Sequence, residues 1–169
     1  MAGGDRFSFL GREFLTWLWF ESERSGGRVA TADGEYGVDF AQRLVLESGG
    51  TLKEGSSVQS EAPAQAQEAR TALRVGKKVA KARLVLDVGD KQFTVNLDAE
   101  TLALSNAKLP TVLGLRDAAG LDERVGLLDQ LEAVVDGLYL HFVRLRKTEQ
   151  TWAPVREAMR AWVAAPPQG

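Results

Sequence analysis

Hydrophobic and polar positions along this chain fall into blocks whose period changes several times. From Phe14 to Phe20, six of seven residues are large and apolar (Phe14, Leu15, Trp17, Leu18, Trp19, Phe20), and only Thr16 interrupts them. Arg12 and Glu13 precede the run, while Glu21, Glu23 and Arg24 follow it. The length of the run and its lack of internal Gly, Pro or Asn predict a helix over 9–23. Such a helix is apolar around most of its circumference, so one sheet face cannot cover it. It should lie between two layers, or between this chain and a partner.

Residues 22–37 read as a polar, Gly-rich connection with a turn at Asp33-Gly34. A period of two then sets in over 38–47, predicting a strand with Val38, Phe40, Leu44 and Leu46 on one face and Asp39 and Arg43 on the other. Gly49-Gly50 offers a turn into a weak, polar edge strand over 51–60. Ser60 is placed to cap a short helix, with Pro63 in its first turn and a stop near Gly76. Apolar alternation over 82–88 and 92–97 flanks Gly89-Asp90, the pattern of a hairpin with a two-residue loop. Residues 101–105 suit a further strand, followed by a loop, Asn106 to Pro110, in which the proline discourages regular structure.

The longest periodic stretch runs over 121–147. Leu121, Leu128, Val135 and Phe142 recur every seven residues, with Leu131, Leu138 and Leu145 as companions. They draw an apolar stripe along about 40 Å of helix. Asp122 and Glu123 at its start, and Arg144, Arg146 and Lys147 at its end, suit the helix dipole. The stripe could zip to a second copy, or pack on the Trp-rich helix and the sheet of its own chain. Three or four heptads barely make a coiled-coil signal, so the second reading is the simpler one. Trp152, Val155, Met159 and Trp162 space a closing helix over 152–163, and 165–169 read as a frayed tail. The predicted fold class is α+β: a small antiparallel sheet with a buried N-terminal Trp-rich helix and a long C-terminal amphipathic helix, one domain over 1–169.

Composition supports a core-building chain, with 44% hydrophobic and 26% charged residues among 169. No apolar run approaches the roughly 20 residues of a membrane span. The opening MAGGDRF lacks a basic region followed by an apolar one, so no secretory signal is expected. The absence of cysteine excludes disulfides and thiolate metal sites and fits a reducing cytoplasm.

Net charge, formally −2, points to no partner class, but its distribution does. From Ala69 to Leu86 there are six basic residues (Arg70, Arg74, Lys77, Lys78, Lys81, Arg83) and no acidic one, leaving 15 basic against 23 acidic elsewhere, a formal −8. That asymmetry fits a phosphate-contacting edge on an acidic body. Arg70, Arg74 and Lys77 or Lys78 fall at helical spacing and could project from one side. No aromatic residues interleave with these cations, so stacking of single-strand bases is not indicated. The competing reading is an ordinary solvated helix with its loop.

Catalytic patterns are missing. The single histidine, His141, has no flanking partner and reads as a partly exposed surface residue. Asp87, Asp90, Asp98 and Glu100 gather around the hairpin, yet Asp98 and Glu100 alternate with apolar residues as on a solvated face, and no acidic-x-Lys triplet completes a nuclease core. Gly76-Lys77-Lys78 lacks the upstream glycine and the hydroxyl of a phosphate-binding loop. No enzyme, cofactor or metal is expected.

Four stretches carry a resemblance: LGREFLTWLWF at 10–20, EARTALRVGKKVAKARLVL at 68–86, LALSNAKLP at 102–110 and ERVGLLDQLEAVVDGLY at 123–139. In order and spacing they resemble the C-terminal part of the longer members of the recombination-associated protein RdgC family. The W-x-W helix and the S-x-A-K-L-P loop are its most specific marks. The family's proteins bind duplex DNA with little sequence preference, form dimers closed into a ring and restrain the recombinase RecA. The resemblance therefore implies a cytoplasmic, nucleoid- or recombination-associated DNA-binding role, with duplex DNA as partner and Arg70, Arg74, Lys77, Lys78, Lys81 and Arg83 on its phosphates. Family members carry a substantial N-terminal region ahead of the Trp-rich helix, so a homodimer or a separate chain supplying that region is also expected. The alternative is a non-enzymatic assembly module in which Trp17, Trp19 and Phe20, or the 121–145 stripe, bury against a partner chain.

Overall fold

A computed structural model describes residues 8–47, 55–59, 67–110 and 118–165. The apolar run folds as helix α1 (Ser8–Arg24). The remaining elements in chain order are strands β1 (Arg28–Thr31), β2 (Gly34–Glu47) and β3 (Gly55–Gln59), helix α2 (Gln67–Arg74), strands β4 (Lys78–Val88), β5 (Lys91–Asp98) and β6 (Leu104–Lys108), and helices α3 (Ala118–Arg146) and α4 (Glu149–Ala164). The strands form one antiparallel sheet in the order β1-β2-β4-β5-β6. β2 is long enough to carry β1 on Gly34–Gly37 and β3 on Arg43–Glu47 along one edge, with β4 on the other. The fold is α+β, as the patterning predicts.

Helix α1 is the middle layer. Phe14, Leu15, Trp17, Leu18 and Trp19 are wholly buried. Trp19 lies 6.4 Å from Phe40 of β2 and meets Trp162 of α4 edge-on at 5.2 Å. Phe14 and Trp17 pack at 5.7 and 5.6 Å on Phe142 of α3. Trp17, Trp19 and Phe20 are thus covered by their own chain, which corrects the expectation that they form an assembly surface.

Two small residues in α1 allow this fit. The Thr16 hydroxyl donates to the Arg12 carbonyl at 2.8 Å and accepts from the Val79 N–H at 3.0 Å, tying the helix to the first turn of β4. The polar interruption in the run therefore satisfies a buried strand donor. At Gly11 the helix approaches the β5–β6 connection so closely that a Cβ would sit 1.7 Å from the Ala99 carbonyl oxygen.

The β4–β5 hairpin has the expected two-residue loop, with Gly89 at φ +62 and Val88 paired to Lys91. β1 is not legible in the sequence, because Val29 is its only large apolar residue and its only buried one, and β2 starts at Gly34 rather than Val38. β6 lies three residues later than predicted, since Asn106 takes φ +49 and the ladder shifts register there instead of ending. α2 stops at Arg74, so Lys77 and Lys78 leave the helix and the expected one-sided row of cations does not form. α4 begins at Glu149, capped by Thr148, and holds Pro154 inside. The Gly49-Gly50 turn, the Ser60 cap with Pro63, and the end of the tail lie outside the described residues.

The α3 stripe divides. Leu131, Val135, Leu138 and Phe142 are buried, but Leu121 and Leu128 are 62% and 42% exposed. Leu127, next to Leu128, is buried, so the exposure is one of side: a straight α-helix drifts about 20° per heptad against a seven-residue repeat, and the early members of the series rotate off the covered face. Because α3 begins at Ala118, Asp122 and Glu123 fall after its first turn.

His141 sits half-buried on α3, its ring 5.8 Å from that of Trp17. Burial lowers its pKa from the ordinary 6.5, Glu21 opposing and Arg144 adding to the shift. The folded state thus binds its proton less readily than the unfolded state, so this stability is full above about pH 6.5 and is lost as pH falls through the depressed value. Urea midpoints at pH 8 and 5.5 should show the wild type losing more stability on acidification than His141→Gln.

Candidate anion-binding cleft

The six cations of the 69–86 segment do not form one surface. Arg70 is 5% exposed and belongs to the core. Its guanidinium pairs with the Glu23 carboxylate at 3.1 Å, donates to the Trp162 carbonyl at 3.3 Å and lies over the Trp162 ring at 4.2 Å. Burial lowers its pKa, partly offset by Glu23. The Trp19 and Trp162 indole N–H groups donate to the same carboxylate, at 3.1 and 2.6 Å. Arg70 therefore fastens α1, α2 and α4 together, and its expected place on a phosphate is corrected. A charge pattern cannot separate a core arginine from a surface one. The tryptophans at 19 and 162 were the available signal, since guanidinium groups stack on indoles.

Lys81 and Arg83 alternate with buried Ala82, Leu84 and Leu86, so they lie on the sheet face away from α1. Each meets its cross-strand neighbour: Lys81 pairs with Asp98 at 3.7 Å, and Arg83 donates to Asn96 Oδ1 at 2.9 Å.

The other three enter a cleft of about 650 Å³ between the α2–β4 corner, the end of α3 and the length of α4. Arg74, Lys77 and Lys78 line it from the corner, Arg146 from α3, and Arg156 and Arg160 from α4. Leu73, Trp152, Met159 and Val163 supply apolar lining, and Glu13 is the one carboxylate among the lining residues. Glu13 holds Lys78 at 3.5 Å and Arg146 at 3.0 Å. Arg156 and Arg160 pair with Glu149 and Glu157 on α4 itself. Arg146 covers the buried Trp152 ring at 5.2 Å, so that indole is not presented for stacking.

Part of this charge has a local cause. The last turns of α2, α3 and α4 all reach the cleft, and their carbonyl ends favour cations. Arg74 donates to the Val163 and Ala165 carbonyls at 3.1 and 3.0 Å. Arg156 and Arg160, by contrast, lie in the middle and second half of α4, away from its carbonyl end. Sequence reasoning missed both, because Glu149 and Glu157 beside them flatten the local charge. Their i, i+4 spacing on one helix face was the signal.

Two of the four hairpin carboxylates are engaged: Asp87 accepts from Gln92 at 3.0 Å, and Asp98 from the Glu100 N–H at 2.9 Å. Among the described residues no group of three His, Asp or Glu side chains could hold a metal, and no helix is long and apolar enough to cross a membrane. No protein-family model matches the chain, and no curated protein matches its sequence.

Arg70→Met should lower unfolding free energy by about 2–3 kcal/mol in urea titrations, toward the low end for a broken buried pair because Glu23 keeps both indole donors. A phosphate-contacting role without structural weight would leave the midpoint unmoved.

Proposed function

We propose that the chain binds DNA without sequence preference, its cleft taking the phosphate backbone. One observation carries this reading: six cations from the α2–β4 corner, α3 and α4 line a cleft whose lining holds a single carboxylate, in a protein of formal charge −2. Concentrating positive charge against the sign of the whole chain suits neutralisation of phosphates and release of their counterions. No aromatic face or carboxamide row is presented to read bases, which suits indifference to sequence. Three of the six cations, Arg74, Lys77 and Lys78, lie within the segment that resembles RdgC proteins, and a role in recombination or the nucleoid of the cytoplasm follows from that resemblance. Nothing in the cleft requires an enzymatic step.

Fluorescence anisotropy with a labelled duplex across about 50–200 mM salt should show binding that weakens steeply with salt. Changing Lys77, Lys78, Arg156 and Arg160 together to Gln should flatten the log–log salt slope by about 3–4, near 0.9 per lost contact. Changing Lys81 and Arg83 should leave the slope alone. No binding at the lowest salt, or an unaltered slope in the fourfold variant, overturns the proposal.

A second reading, an assembly module, draws on the uncovered side of the first turns of α3, where Leu121, Val125 and Leu128 are 62%, 49% and 42% exposed on neighbouring turns. Sedimentation velocity tests it: a dimer dissociated by Val125→Asp supports assembly through this face, and a monomeric wild type removes self-assembly.

A further inference from the structure

The shape of the cleft and the state of its ion pairs bear on which phosphate it takes. Its volume of about 650 Å³ is that of a small-molecule site, enough for one or two nucleotides of a strand. Cations come from the α2–β4 corner, the end of α3 and α4, with the apolar side chains of Leu73, Met159 and Val163 also in the lining. That is the layout for a body of modest polarity carrying a compact, highly charged group. We propose that the cleft is a pocket for a nucleotide bearing a terminal phosphomonoester, a deepening that rests on the DNA-binding reading above.

Charge separates a strand end from the backbone. A monoester carries about −1.5 to −2 at neutral pH, whereas each backbone diester carries one negative charge. The cleft can respond to the difference because one of its cations, Arg160, is held loosely. Arg160 and Glu157 are both well exposed, at 69% and 64% of the side chain, a pairing that water already screens and that an incoming dianion can replace. Glu13 is the opposing charge: it holds Lys78 and Arg146 where a phosphate would compete for them. An apolar lining accepts a sugar or a base edge without hydrogen-bonding it, so the pocket reads the charge of the terminus and not its base.

The test compares one short labelled duplex with 5′-phosphate, 3′-phosphate or hydroxyl ends by anisotropy. At least one phosphorylated form should bind about tenfold tighter than the hydroxyl form, the size of one added charge-assisted contact. Arg160→Gln should erase the advantage, and Glu13→Gln should widen it. Equal affinity for all three duplexes overturns the terminal pocket and leaves backbone binding standing. Failure of all three to bind at low salt overturns the backbone reading. Calorimetry with deoxyadenosine monophosphate and with deoxyadenosine then decides the pocket by itself: monophosphate binding alone assigns it to free nucleotides, and binding of neither overturns it.

Discussion

A helix that is apolar on all sides can be buried only if cover arrives from every direction, and α1 imposes that requirement on the rest of the chain. One sheet face serves β4 and β2 against it, and α3 and α4 must close over the opposite side. Burial of Phe14, Leu15, Trp17, Leu18 and Trp19 removes several of the largest side chains in the protein from water. Each such side chain contributes on the order of 2 kcal/mol. The polar groups that α1 retains are placed where they join layers. Thr16 meets the Val79 N–H, and Glu23 gathers Arg70 and two indoles at the far end. These contacts set the register of the layers, which apolar packing alone leaves loose.

The cleft follows from the same arrangement. Three helices that cover α1 end near one another, and their carbonyl ends call for positive charge. Arg74 answers that demand directly, through the Val163 and Ala165 carbonyls. Arg156 and Arg160 do not, because they leave α4 before its last turn. A cation cluster that exceeds what helix capping asks for is the physical basis for reading the cleft as a place where an anion binds.

The elements that sequence patterning specified well were those whose period dominates locally: α1, the β4–β5 hairpin and the body of α3. β1 escaped because an edge strand facing water on most of its length leaves one large, buried apolar residue, Val29, to mark it. The exposed start of α3 escaped for a different reason. A heptad count records apolar positions at a fixed spacing, but a straight helix turns about 20° per heptad away from that spacing, so Leu127 and not Leu128 faces the core. The candidate site was legible only in part. The basic segment supplied Arg74, Lys77 and Lys78, while its linear order hid that Arg70 turns inward and that Lys81 and Arg83 cross to the other face of the sheet. Arg146, Arg156 and Arg160 reach the cleft from more than sixty residues further along: the end of α3 brings Arg146 to Glu13 of α1, and the packing of α4 on α1 and α2 brings Arg156 and Arg160.

Helix α4 serves the core and the cleft at once. Trp152 and Trp162 pack against the core, and Trp152 also lines the cleft beside Arg156 and Arg160. A charged molecule held between α4 and the α2–β4 corner would therefore clamp the outer wall of the core in place. Occupancy and folding become linked quantities, each raising the other by the free energy of binding to the closed form. Conversely, loosening α4 would open the core and dismantle the cleft in one motion, so ligand affinity would report on how firmly this helix is seated.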